Sequence, residues 1–305
     1  MTQPATGTPP SANLRPDRPL PGILLMAAAM GVLSLMDAVV KGLVTGGAQV
    51  PQILAVRGWV ILAALVLWLP RMGGAEVLRT RRPWAITGRT LVACAAPGLF
   101  FLSLRDLPLA EATAITFGSV FMVAALSAPL LKEHVGPHRW AAIAVGFLGV
   151  LWVTRPGTAA FQPAALLALG AGLCFALMSV SSRWLGGTEP TFRLVFYFNL
   201  GTALVYSVMA PFVWQPLSAG ELAAIGLVAA LALFGHLAVT RAFVIAPVGA
   251  VAPMEYTSLV WAALFGYLGF GTLPGVHVIV GSAVIVASGL FLVHRERVAR
   301  RRGKG

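Results

Sequence analysis

The feature that most constrains this chain is a succession of long apolar runs separated by short breaks rich in proline and arginine. Of the 305 residues, 58% are hydrophobic and only 10% are charged, whereas a soluble domain carries about 25% charged residues. A helix needs roughly 20 apolar residues to cross the hydrocarbon core of a bilayer. The runs predict ten membrane-spanning helices, over residues 20–44, 52–70, 85–104, 108–131, 138–154, 163–185, 192–213, 220–244, 248–270 and 274–294.

This pattern indicates an all-α membrane protein and leaves no stretch for a soluble catalytic domain. Residues 1–19 are polar and proline-rich, and we expect a disordered tail there. Residues 295–305 form a second, basic tail. The first apolar run is too long for the core of a signal peptide, so we expect it to be retained as a membrane helix. A membrane β-barrel would need alternating apolar and polar residues, and these runs do not alternate.

Basic residues concentrate in every second break and in the span ends next to it. Eighteen of the 22 Lys and Arg residues lie there, and they are Arg15, Arg18, Arg71, Arg79, Arg81, Arg82, Arg89, Lys132, Arg139, Arg183, Arg193, Arg241, Arg295, Arg297, Arg300, Arg301, Arg302 and Lys304. The intervening breaks hold only Arg105 and Arg155. Because Lys and Arg accumulate in cytoplasmic loops, both termini are predicted to be cytoplasmic, which requires an even number of spans. The net charge of +12 is therefore spread over loops, and no nucleic-acid partner is expected without a contiguous basic face.

The two halves of the sequence resemble each other. Leu35-Met36-Asp37 matches Leu177-Met178-Ser179 at an offset of 142 residues. Since a repeat of five helices is odd, the second copy must enter the membrane from the opposite side. We therefore predict two inverted five-helix repeats, over residues 20–155 and 163–294. Inverted repeats recur in secondary transporters, where two similar bundles give one conformation open to each side; duplication without alternating access is the alternative.

A series of short motifs runs in order through both halves: Leu35–Ala38, Leu107–Ile115, Gly146–Val150, Glu189-Pro190, Val195–Phe198, Thr240–Ala242 and Val251–Ser258. Over residues 20–295 this series resembles the EamA-type, ten-helix branch of the drug/metabolite transporter superfamily. The resemblance implies a secondary transporter of the bacterial inner membrane, with a small-molecule substrate in a central cavity. It also implies that the first, third, fourth, sixth, eighth and ninth spans wall that cavity, while the fifth and tenth are peripheral.

Within that branch, the Met-Asp pair of the first span and the segment Glu255–Ser258 look most like carriers for riboflavin or S-adenosylmethionine uptake. Other members export amino acids, so export of a metabolite is the alternative function. A non-transporting scaffold or a channel is the alternative from another class. No enzyme motif, metal cluster or cofactor motif is visible in the sequence, and both a monomer and a homodimer remain open.

Charged side chains at membrane depth are the first candidates for substrate contact, because they are costly there and usually face the bundle interior. Glu255 follows Pro253 by two residues, and proline frees a carbonyl and lets a helix break beside a cavity. Glu255 is a candidate for substrate binding and for proton coupling. The alternatives are an ion pair with Arg241 and a hydrogen-bond anchor between helices.

Asp37 and Lys41 lie four residues apart and share one face of the first span. They would contact a substrate or gate, or else pair with each other. Arg57 in the second span needs a carboxylate or several carbonyls. Either a structural partner such as Asp37 or an anionic substrate would supply them.

Uncharged polar and aromatic groups complete the candidate set. His236 is a proton-coupling candidate, with a satisfied interior histidine as the alternative. Tyr256, Thr116, Ser119 and Tyr197 offer rings and hydroxyls suited to a flat polar ligand, and packing is the alternative for each. Glycines in the fifth and tenth spans predict close helix packing, in a scaffold or a dimer surface.

The distribution of basic residues generates a test of orientation. In a chain whose two cysteines are replaced by alanine, Thr158→Cys should react with a membrane-impermeant maleimide in intact cells. Lys304→Cys should react only after the cells are permeabilised. Labelling of Lys304→Cys in intact cells would contradict the cytoplasmic placement of the C-terminus.

Overall fold

The structure is a computed structural model that describes residues 19–131, 136–185 and 189–302, with side chains from residue 20 to residue 295 apart from Val248. Most of the predicted N-terminal tail, residues 1–18, lies outside the described residues. The described backbone forms twelve α-helices and no strand. The helices are α1 (Pro19–Thr45), α2 (Val50–Trp68), α3 (Pro83–Ser103), α4 (Leu109–Thr116), α5 (Ser119–Leu131), α6 (Pro137–Thr154), α7 (Ala164–Leu185), α8 (Thr191–Met209), α9 (Ala219–Ile245), α10 (Val248–Val251), α11 (Thr257–Phe270) and α12 (Val276–Arg302).

Short 3-10 segments extend or join several of these helices, at Leu69–Met72, Gly74–Leu78, Ala210–Val213 and Ala252–Tyr256. The described backbone of the basic C-terminal tail continues α12 as far as Arg302. The tail predicted from residue 295 is therefore largely a helical extension of the last span.

Eight helical stretches of the described chain are long and apolar enough to cross a membrane. The predicted fifth and ninth spans do not reach that length and apolarity. The fifth is α6, which has only 18 residues and begins with a polar turn. The ninth is divided into α10, a 3-10 segment and α11, and the 14 residues of α11 rise only about 21 Å. Helices occupy all ten predicted positions, but length and composition alone establish eight.

Two spans are broken in their interior. The fourth ends its first half at Thr116 and resumes at Ser119, with Gly118 between them. In the ninth, Pro247 and Pro253 flank α10, and neither proline has an N–H to donate. Irregular backbone at membrane depth is tolerated only where protein or a water-filled cavity surrounds it. The two breaks therefore mark the interior of the bundle.

The helices pair across the two halves of the chain. α1 packs on α9, α3 on α7 and α2 on α8, while α4 packs on α11 and α6 on α12. Each part of the first half thus has its main partner in the second half. The buried apolar side chains form one large core cluster along these contacts and two smaller ones.

The contact between α6 and α12 depends on glycine. A Cβ atom added at Gly281 of α12 would lie 2.9 Å from the carbonyl oxygen of Gly149 and 2.4 Å from the Cγ2 atom of Val153, both in α6. Such distances leave no room for a methyl group, so the two backbones meet through their glycines, as the glycine pattern predicts.

We expect Gly281→Ala to lower the free energy of unfolding by about 1–3 kcal/mol, because the methyl group forces α6 and α12 apart. Gly226→Ala is the matched control, since no atom lies within 4 Å of a Cβ at that helical glycine. Thermal unfolding of the detergent-purified proteins provides the measurement. Equal stability of the two variants would show that the helices are not in close contact.

Candidate functional site

A cavity of about 320 Å³ lies between the two halves, at the level where the fourth span is broken. Its lining comes from the six spans that the family resemblance implies and also from α2 and α8; α6 and α12 contribute nothing to it. The lining residues are Leu33, Ser34, Met36, Asp37, Arg57, Pro97, Phe100, Phe101, Thr113, Thr116, Phe117, Ser119, Phe175, Met178, Phe198, His236 and Ser258.

Three ionisable groups from three helices face this cavity: Asp37 of α1, Arg57 of α2 and His236 of α9. Arg57 is only 8% exposed. Its guanidinium carbon lies 5.8 Å from the ring centre of Phe101, and its Nε atom is buried without a hydrogen-bond partner. Arg57 is also the charged group that interacts electrostatically with both Asp37 and His236.

Asp37 and Arg57 nevertheless remain unpaired. Within the described part of the chain, neither side chain forms a hydrogen bond or an ion pair. The structural ion pair between Arg57 and Asp37, one of the two predictions for Arg57, is therefore not formed. A buried guanidinium without a hydrogen-bonded carboxylate is costly, so the cavity presents a guanidinium and a carboxyl group whose hydrogen bonds a ligand is able to complete.

Hydroxyl groups supply most of the remaining polarity. Thr113 and Thr116 donate to the carbonyls four residues earlier in α4, each over 2.8 Å. Ser34 of α1 donates to the Ser258 carbonyl of α11 over 3.4 Å. A hydroxyl that donates to its own backbone keeps lone pairs free to accept. With Ser119, which also lines the cavity, these groups offer acceptors to a ligand.

Five phenylalanines form the apolar walls, and they are Phe100, Phe101, Phe117, Phe175 and Phe198. The sequence alone did not single them out, because an apolar ring beside a cavity has the same sequence signature as a ring in the core. Tyr256 does not line the cavity but packs behind Phe117, with ring centres 5.1 Å apart and planes inclined by 30°. The substrate contact predicted for Tyr256 stays a prediction.

Glu255 lies outside the cavity lining, in the 3-10 segment Ala252–Tyr256. Among the described residues its carboxylate forms no hydrogen bond or ion pair; Ser258 donates to its backbone carbonyl instead. The ion pair with Arg241 is not formed, and Arg241 is exposed. The predicted break of the ninth span is confirmed, whereas substrate binding and proton coupling by Glu255 stay predictions.

Lys41 lies on the same helix as Asp37 but forms hydrogen bonds outside the cavity. Its Nζ atom donates to the carbonyls of Leu104 and Leu107, over 2.8 and 2.7 Å, and lies 5.4 Å from the ring centre of Phe270. It does not pair with Asp37. Because the last carbonyls of a helix lack intrahelical donors, Lys41 closes the end of α3 and ties α1 to the α3–α4 link.

Tyr197 is also outside the cavity. Its hydroxyl donates to the Leu78 carbonyl over 3.0 Å, in the linker between α2 and α3. The structure thus brings Asp37, Arg57, Thr116 and the other lining residues together and places Tyr197 at the end of the bundle that carries the basic loops.

Lys41→Met should lower the free energy of unfolding by about 2 kcal/mol or more, because methionine fills a similar volume but leaves two carbonyls without a donor. Arg105→Met, an exposed cation in the same link, should change it by less than about 0.5 kcal/mol. Thermal unfolding in detergent checks both variants. Wild-type stability of Lys41→Met would mean that the Lys41 contacts contribute nothing.

The sequence of this chain is similar to those of known transporters. Residues 20–155 match the model of the EamA-like transporter family. The chain is 27% identical over 224 residues to the S-adenosylmethionine uptake transporter of Rickettsia prowazekii, covering 73% of this chain and 76% of that one. It is 28% identical to the riboflavin transporter of Rhizobium johnstonii over 94% of this chain and 95% of that one. It is also 28% identical to the pseudopaline exporter of Pseudomonas aeruginosa, over 88% and 94% of the two chains.

A solved crystal structure shows the same fold. It shares 20% sequence identity with this chain and superposes with a TM-score of 0.59, covering 92% of this chain and 98% of its own. The likeness extends over both halves, including the helices beyond residue 155.

Proposed function

We propose that this chain, whose residues 20–155 match the EamA-like transporter family, is a bacterial inner-membrane transporter of the drug/metabolite transporter superfamily and carries a small polar metabolite through the cavity that holds Asp37 and Arg57. The observation that carries this proposal is the unpaired state of these two charges in one cavity. A ligand with a carboxylate and a cationic group would satisfy both at once.

Alternating access between ten spans in two inverted repeats is the mechanism that we propose. The pairing of helices supports it. Exchanging the two halves converts the α1–α9 contact into the α7–α3 contact, and it leaves the α2–α8 and α6–α12 contacts unchanged. Interior breaks in both the fourth and the ninth spans fit the same relation. Two bundles related in this way would rock about the cavity and open it to each side in turn.

The substrate class that we propose is a zwitterion joined to a flat or apolar group. Arg57 would bind its carboxylate, in the bidentate geometry that a guanidinium prefers, and Asp37 its ammonium group. The phenylalanine walls would pack against a ring. S-adenosylmethionine combines an amino-acid head with an adenine ring, so it fits this arrangement better than riboflavin, which has no carboxylate. The relatives named for these two substrates support testing both.

Export of an amino-acid-like metabolite is the second candidate function. The similarity to the pseudopaline exporter favours it, because that similarity spans 88% of this chain. The cavity would serve either direction, since a carrier with two exchangeable halves runs down whichever gradient is imposed. His236, which lines the cavity within the electrostatic reach of Arg57, is the group that we propose for proton coupling.

Uptake into proteoliposomes tests the proposal directly. Radiolabelled S-adenosylmethionine, riboflavin and a panel of amino acids would be supplied with and without an imposed pH gradient. We expect saturable uptake of one substrate, stimulated by the same unlabelled substrate inside the vesicles. Arg57→Gln and Asp37→Asn should each reduce it about tenfold or more, the effect of losing one charged hydrogen bond.

Two matched variants separate the cavity charges from other charges of the bundle. Arg89→Gln removes a half-buried arginine that bonds to Ser182 outside the cavity, and Glu255→Gln removes an acid that does not line it. Arg89→Gln should keep at least about half of the wild-type rate, and Glu255→Gln should lose less of it than Asp37→Asn does, because Glu255 does not line the cavity. If Glu255→Gln abolishes uptake while Asp37→Asn does not, the polar site lies at the break of the ninth span and the proposal is wrong.

A further inference from the structure

A second cavity, of about 490 Å³, lies at the opposite end of the bundle from Lys41. Its lining is almost entirely basic, and consists of Arg79, Arg81, Arg82, Glu189 and Arg193. None of these residues belongs to the central cavity. The first three come from the linker that precedes α3, and the last two from the start of α8.

Buried hydrogen bonds hold this cavity in shape. Glu189 is only 4% exposed. Its carboxylate accepts from the Thr80 hydroxyl over 2.7 Å and from the guanidinium of Arg193. Arg193 in turn donates through Nε to the Val77 carbonyl over 2.6 Å. The linker is thereby fastened to α8, and the arginines at its end are presented from a fixed backbone.

Glu189, the single acid of the lining, is already hydrogen-bonded within the protein. Burial favours the neutral form of Glu189, but hydrogen bonds from Thr80 and Arg193 and the charges of Arg193 and Arg82 outweigh it, so the pKa of this carboxyl is lowered. Glu189 is therefore ionised at neutral pH and neutralises Arg193.

The other three arginines lack such a partner. Arg79 lies 3.9 Å from Glu76, and both side chains are 85% exposed, a geometry that contributes little. Arg82 lies over the ring of Trp184 at 5.8 Å. Arg81 has no ion pair in the described part of the chain. Three further arginines therefore line the cavity without a buried carboxylate of their own, since Glu76 is exposed and Glu189 is hydrogen-bonded to Arg193.

The backbone adds to this positive potential. α3 begins at Pro83 and α8 at Thr191, so both helices start beside the cavity, and neither has a side-chain cap. The N-terminus of a helix carries a partial positive charge and free N–H groups, which favour a phosphate.

Two tryptophans place the cavity at the edge of the bilayer. Trp84 and Trp184 are 86% and 57% exposed, and exposed tryptophans are typical of the headgroup level of a membrane. The phosphate groups of phospholipids lie at that same level. Clusters of basic residues next to spans are the usual binding sites of anionic lipids.

We propose that this arginine cavity binds the phosphate of an anionic phospholipid headgroup. The orientation predicted from the basic loops places it in the cytoplasmic leaflet. A bound lipid would bridge the α2–α3 linker and α8, and so would couple the lipid composition of the membrane to the packing of these two elements.

Native mass spectrometry of the purified chain tests this inference without any transport assay. Phosphatidylglycerol and phosphatidylcholine with the same acyl chains would be titrated separately, and glycerol phosphate would serve as the headgroup without chains. We expect phosphatidylglycerol to bind at least about tenfold more tightly than either. In Arg79→Gln/Arg81→Gln that binding should weaken about fivefold for each arginine, the contribution of one basic residue near an anionic surface.

The control is Arg71→Gln/Arg241→Gln, which removes two exposed arginines from the same group of loops but outside the cavity. It should keep wild-type affinity for phosphatidylglycerol, and all three proteins should elute identically on gel filtration. Equal loss of affinity in both double variants would indicate a diffuse charge effect and overturn the site. Equal affinity for glycerol phosphate and phosphatidylglycerol would identify a soluble phosphate ligand instead of a lipid.

Discussion

Hydrocarbon offers no hydrogen bonds, and this constraint shapes the whole molecule. Each backbone group within the bilayer must find its partner inside the protein, so the chain is helical wherever it faces lipid. The breaks at Gly118 and at Pro253 lie in the interior of the bundle, and the first of them borders the central cavity. The helices are thus interrupted in the interior of the bundle, and the uninterrupted helices α6 and α12 lie outside the cavity lining.

The same constraint separates two cations that look alike in the sequence. Lys41 and Arg57 are both buried in apolar spans. Lys41 is satisfied by the carbonyls of Leu104 and Leu107, and it stabilises the bundle. Arg57 has an aromatic ring beside it but no hydrogen-bond acceptor among the residues that the structure describes. A satisfied charge fastens two elements together, whereas an unsatisfied one beside a cavity favours a ligand. The arginine cavity near Glu189 shows the second condition again, at the level of the lipid headgroups.

Several features of the fold were predictable because they depend on local sequence. Long apolar runs predicted the positions of the helices, and Pro253 predicted the break in the ninth span. Six of the eight spans that line the cavity followed from family resemblance, whereas the contributions of α2 and α8 did not. Local sequence did not predict which of the two acids, Glu255 or Asp37, lines the cavity. Both are acids at membrane depth, and Glu255 had the more suggestive neighbours, yet only Asp37 lines the cavity. Which side of a broken helix faces a cavity depends on the rotation of that helix, and neighbouring helices decide that rotation.

The sequence by itself determined that this chain is a helical membrane protein, where its helices lie and which residues are costly to bury, because hydropathy and charge act residue by residue. Only the tertiary structure decided which costly residues meet. The pairing of α1 with α9 and of α2 with α8 brings Asp37, Arg57 and His236 into one cavity and directs Lys41 elsewhere. Contacts between residues roughly 20 to 200 positions apart arise from packing across the whole bundle, and no local pattern records them.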